Sequence, residues 1–143
     1  MRLKALFLVC VLGLCGILTT SLGAQSTSAR FSVPFDFVVA GKTMPAGEYA
    51  VGDNLDHGGI VKIQSLNTRA TVFAVTRNAE TKAINGPATL VFHRYGGSYF
   101  LAQIVKGDAG IPALALPETR AEREAAKTAY LVPVETLTLV AMR

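Results

Sequence analysis

From Phe31 to Val39 every second residue is a large apolar one, so that Phe31, Val33, Phe35, Phe37 and Val39 share one face. That is the period of a half-buried strand. Pro34 has no N–H to give to a ladder, and the strand is therefore expected along a sheet edge. The chain should turn over Gly41 to Gly47. In Met44-Pro45-Ala46-Gly47 the proline suits the second position of a type I turn and the glycine the fourth, so a second strand is expected over Glu48 to Val51. Gly52 to Gly59 is a polar, glycine-rich loop; Ile60 to Gln64 reads as a short strand, and Asn67-Thr68-Arg69 as a turn. Ala70 to Arg77 is the next expected strand. Its middle, Val72-Phe73-Ala74-Val75, is apolar on both faces, which predicts a central strand covered on both sides.

After a loop over Asn78 to Pro87, two β-rich runs, Ala88 to Tyr95 and Ser98 to Val105, flank Gly96-Gly97. Both central residues of a type I′ turn need positive φ, so the glycine pair predicts a hairpin. Its register sets His93 opposite Phe100 and Arg94 opposite Tyr99. One face then carries Thr89, Val91, His93, Tyr95, Ser98, Phe100, Ala102 and Ile104, and the other Leu90, Phe92, Arg94, Tyr99, Leu101 and Gln103. Lys106 to Gly110 should turn, and Ile111 to Leu116 should be extended. Thr119-Arg120-Ala121-Glu122 has the capping-box spacing and opens a short helix to about Thr128, with Ala121, Ala125 and Ala129 inward. Tyr130 to Ala141 reads as a closing strand. Seven or eight short strands with frequent turns predict an all-β fold, an antiparallel sandwich or small barrel, with one short helix near the C-terminus.

Residues 1–24 stand apart from this pattern. Arg2 and Lys4 precede an uncharged run from Ala5 to Leu18, and Ser21-Leu22-Gly23-Ala24 offers small residues for cleavage before Gln25. This is the layout of a cleaved signal helix, too short for a comfortable membrane anchor. It predicts export to the periplasm or beyond, with residues 25–143 as a single domain and no stable membrane span after cleavage. Cys10 and Cys15 leave with the leader, so the mature chain has no cysteine for a disulfide, a thiolate nucleophile or a zinc site. The charge also falls. Loss of Arg2 and Lys4 leaves 12 basic residues against 10 acidic ones, and the case for a nucleic-acid partner goes with them.

Candidate chemistry is sparse. In Met44-Pro45-Ala46-Gly47-Glu48-Tyr49 the tyrosine follows the turn as in a tyrosine corner, whose hydroxyl bonds back to upstream backbone. Asp53, Asp56 and His57 crowd one loop and form a candidate metal set, although such residues also serve as turn formers. His93, Arg94, Tyr99 and Phe100 are the candidate ligand contacts. Cross-strand packing and a cation–π pair of Arg94 with Tyr99 account for the same residues. The Glu and Arg residues of 118 to 124 read as a hydrated helix face. With no Cys, two histidines on separate elements and no Gly-x-Ser-x-Gly turn, no catalytic group can be nominated, and no cofactor is expected.

Three segments, Pro34 to Tyr49, Leu90 to Leu101 and Leu116 to Glu124, carry a likeness to a known family. The chain resembles small exported proteins of unknown function seen in acidobacteria, over most of its mature length. It departs from them at Ala113-Leu114-Ala115, where more polar residues would be expected. The resemblance implies export and brings no activity, ligand or site residue. The expected role is that of a non-enzymatic exported β-domain acting by binding or assembly, with a protein or envelope component favoured over a small molecule as partner. The alternative is a carrier or enzyme holding a small ligand in a barrel near His93, which would show a cavity of at least ~300 Å³ with a few polar groups.

Overall fold

In a computed structural model, the structure describes residues 28–53, 59–79, 85–107, 113–129 and 135–142. The fold is all-β. Its first sheet holds four antiparallel strands in the order β1 (Ser28–Val33), β4 (Gly47–Asp53), β5 (Ile60–Ser65) and β6 (Thr71–Val75). The second sheet runs β11 (Glu135–Val140), β8 (Thr89–Tyr95), β9 (Ser98–Val105), β10 (Leu114–Ala115) and β7 (Arg77–Asn78). A further pair, β2 (Phe37–Val39) and β3 (Lys42–Met44), joins it through the parallel contact of Val38 with Phe100. One sheet curls into a half-barrel, and the helix, α1 (Arg120–Thr128), follows β10.

Eleven strands are therefore described in place of the seven or eight expected, because the chain repeatedly leaves one sheet for the other. The alternating run from Phe31 to Val39 is two strands. Pro34 ends β1 at the edge of the first sheet, and β2 begins three residues later in the second. The alternation itself survives the crossing: Phe31, Val33, Phe37 and Val39 are all buried, since both pieces face the same core. Thr76 makes the same passage between β6 and β7. A bridge from the Met142 N–H to the Arg30 carbonyl, 2.8 Å, ties the sheets together at their other side.

The core lies between the sheets. Phe37 packs edge-on against Tyr49 and Phe92, with ring centroids 5.1 and 5.4 Å away. Fully burying a side chain of this size gains roughly 2–3 kcal/mol before entropy is counted. Tyr49 closes the corner as expected, its hydroxyl donating to the carbonyl of Pro45 four residues upstream.

Other expectations change. β6 is an edge strand, not a central one, and Phe73 and Val75 project from it 57% and 67% exposed. In the β8–β9 hairpin His93 does face Phe100 and Arg94 faces Tyr99, but the register shifts beyond Phe92. A bulge sets Leu90 opposite Ile104, which moves Ile104 onto the core side with Leu90 and Phe92. Of the hairpin glycines only Gly96 has positive φ, at 61°, the requirement of a type II′ turn. Both central residues have positive φ instead at Ala40 and Gly41, 49° and 77°, between β2 and β3. The helix begins and ends where its capping signal put it, yet Ala121 is exposed and Glu122 is buried in its place.

Candidate binding groove

The β8–β9 hairpin sends its four candidate residues to two faces. Arg94 and Tyr99 lie together, the guanidinium carbon 5.6 Å from the ring centroid, and Tyr99 stacks on Phe35 with centroids 3.9 Å apart. Arg94 also donates to the Gly96 carbonyl at 2.9 Å and meets Glu135 at 2.8 Å. Its bonding is thereby spent on holding the hairpin to β11. The four residues do not converge.

His93 and Phe100 lie on the face covered by α1. Thr119 caps the helix, its hydroxyl accepting from the Glu122 N–H at 3.2 Å. In a complete capping box the glutamate would reach back to the cap. Here the Glu122 carboxylate turns inward and sits 3.0 Å from Nδ1 of His93, with Glu122 only 5% exposed. Tyr95 lies beside them, its ring 6.2 Å from His93 and 5.7 Å from Phe100. Burial pushes the Tyr95 hydroxyl above its ordinary pKa, and the negative charges of Glu122 and Glu118 add to the effect. His93, Tyr95 and Glu122 thus form a polar latch between helix and sheet.

The Phe100 side chain continues from this latch into a groove of about 290 Å³. Val38 and Ala40 line it from the second sheet, Leu116 and Pro117 from the approach to α1, and Phe73 and Val75 from β6. Thr119 and Glu122 are its polar residues, at the helix end. Ala40 takes its left-handed backbone on this wall, a conformation that costs an L-residue about 1–2 kcal/mol.

Backbone as well as side chains meets the groove. Thr76 N–H bonds to the Gly59 carbonyl and Ser65 N–H to that of Ala70, which fixes the bonded pairs of the β5–β6 ladder. By the alternation of an antiparallel ladder, Val72 and Ala74 also bond toward β5. Thr71, Phe73 and Val75 therefore direct their N–H and C=O groups away from it. Among the described residues no strand pairs with that edge. The arrangement can take an apolar body and hydrogen-bond an extended backbone.

Of the candidate metal set, Asp56 and His57 lie outside the described residues, and Asp53 is described only by its backbone place opposite Val61 at the end of β4. Residues 1–24, expected to form a leader, also lie outside them. Among the described residues no three acidic or histidine side chains gather as metal ligands, and no helix is long and apolar enough to cross a membrane.

Sequence reasoning missed Phe73, Val75 and Glu122 as site residues. The apolar run at 72 to 75 held the signal, but apolar residues on both faces mark an exposed binding edge as well as a covered strand. Glu122 was visible as a capping residue and as part of a hydrated helix face, which its burial at 5% exposure corrects. Its burial depends on His93, distant in sequence by 29 residues. No protein family, curated protein or solved structure was found to match the chain.

Proposed function

We propose that this protein is an exported, non-enzymatic binding domain, and that the groove between β6 and the approach to α1 is where it holds its partner. The observation that carries the reading is the pairing of an apolar groove of about 290 Å³ with two large side chains left in water, Phe73 and Val75. A single exposed hydrophobe is ordinary. A contiguous apolar surface beside an open strand edge is the mark of an interaction site. Export rests on the leader at residues 1–24, and a polypeptide or envelope component of the same compartment is the partner that follows from it.

A photo-crosslinking phenylalanine analogue placed at Phe73 tests this in cells of the source organism, with the same analogue at the exposed Thr43 of β3 as control. Specific adducts from position 73, on a chain whose N-terminus begins near Gln25, are the expected result. Adducts no stronger than those at Thr43 would remove the groove as the binding face. Met1 retained on a cytoplasmic chain would remove export.

A second reading, a carrier for a small molecule with an apolar body and one polar group, is supported by Thr119 and Glu122 at the polar end of the groove. Its volume is close to the lower limit for such sites, roughly 300 Å³. Native mass spectrometry separates the two: extra mass that leaves on denaturation favours the carrier, and the bare processed mass favours the macromolecular partner.

A further inference from the structure

Resting on the binding reading, we propose that the partner enters as an added strand. An extended segment of another polypeptide pairs with the free edge of β6 and lays alternate apolar side chains into the groove, while acidic residues flank it at both ends.

Three observations meet here. Thr71, Phe73 and Val75 aim their backbone N–H and C=O groups at the open edge, as the β5–β6 ladder requires. Main-chain pairing of that kind supplies affinity, and recesses for every second side chain supply specificity. Val38, Ala40, Phe100 and Leu116 form the apolar floor beside it. The third observation is charge. Arg69 precedes β6 and Arg77 follows it, and Lys62 stands opposite Phe73 on β5. All three are exposed, and none has an ion-pair partner among the described residues.

The same charges argue against a second copy of the chain as occupant. Arg69 lies in the turn before β6 and Arg77 on β7, so two β6 strands paired antiparallel about Phe73 would crowd Arg69 of one copy and Arg77 of the other at each end, just beyond the paired residues. Exposed like charges brought together in this way repel, most strongly at low salt. A segment with acids at its ends meets the arginines with the opposite sign.

Three nine-residue peptides with a common Thr-Val-Thr-Val-Thr-Val-Thr centre, long enough to bring their end residues to Arg69 and Arg77, test the proposal on the processed full-length chain. One is flanked by Asp, one by Lys, and one is Asp-flanked with N-methyl groups on alternate edge-facing amides. Fluorescence anisotropy should show the Asp-flanked peptide binding at least about five-fold more tightly than the Lys-flanked one at low salt, as two exposed ion pairs would give. The N-methylated peptide should not bind. Amide hydrogen exchange should slow at Thr71, Phe73 and Val75 on binding, with Val72 and Ala74 unchanged because they already bond to β5.

Unchanged exchange at those three amides, or equal binding of the N-methylated peptide, would overturn strand addition. So would a dimer of the free chain that already protects them, since the second copy would then be the occupant. If position 73 crosslinks a partner while the peptides leave the three amides untouched, the binding domain stands and strand addition falls. If neither experiment gives a signal, both fall.

Discussion

Tyr49 carries a hydroxyl into the core opposite Ser65 and spends it on the Pro45 carbonyl. The turn before β4 is thereby fastened to the strand that follows it. Deleting the hydroxyl leaves the ring in place and the carbonyl without its donor, a loss of about 1 kcal/mol. Tyr49→Phe should therefore lower the urea midpoint without changing the slope of the transition. The pH dependence has a definite sign. Burial, the largest cause, raises the pKa of Tyr49 above its model-compound value of 10.0, and burial does the same for Tyr95. The folded chain then holds these protons more tightly than the unfolded one, so their contribution is full below about pH 10 and is lost as pH rises past it. Urea midpoints measured from about pH 8 to 11 should fall along an alkaline limb that is shallower in Tyr49→Phe than in the parent. Parallel limbs would show that the Tyr49 proton plays no part in it. This residue was legible in sequence because the corner is local: turn, tyrosine and acceptor all lie between Met44 and Tyr49.

At the scale of elements, local signals and long-range ones part company. Thr119 and Glu122 fixed the start of α1, and Gly96-Gly97 fixed the register of the hairpin tip, since each signal acts within a few residues. The bulge past Phe92 was not legible, because an extra residue opposite Val91 and Phe92 is chosen by what Ile104 finds in the core. The inward face of α1 is a similar case. Three alanines at helical spacing were expected inward, a face that buries little surface, and the helix is instead fastened to β8 through Glu122 and His93. Removing Glu122 costs its hydrogen bond to His93 and opens a small void under the helix. Glu122→Ala is expected to destabilise the chain by about 1–3 kcal/mol, the range for leaving a buried polar partner unsatisfied. Glu122→Gln, which keeps the shape, should cost less. A double-mutant cycle with His93→Ala should return a coupling of at least about 0.5 kcal/mol. Additive losses would mean that the carboxylate holds the helix by packing alone.

For the whole molecule the decisive feature is that the two sheets share one core while β6 turns its outer residues away from it. Phe31 and Val33 from the first sheet and Phe37, Leu90 and Phe92 from the second belong to a single buried cluster, so neither sheet should unfold without the other. The fold class followed from strand periodicity, but the placement of β6 did not, because periodicity says which side chains share a face and not what covers that face. This division separates stability from recognition. Phe73 and Val75 leave more than half their surface in water, and replacing both with Thr keeps a residue suited to strands. The double variant should change the unfolding free energy by no more than about 0.5 kcal/mol, as surface substitutions do. With no tryptophan in the chain, intrinsic tyrosine fluorescence reports on the core and far-UV circular dichroism on the strands. The two transitions should coincide in the parent and in the variant, as one cooperative unit requires. The Asp-flanked peptide should meanwhile lose its affinity for the variant, because the apolar part of the groove wall supplied by β6 is gone. If instead stability collapsed along with binding, Phe73 and Val75 would belong to the fold's own packing, and the open edge would need another purpose.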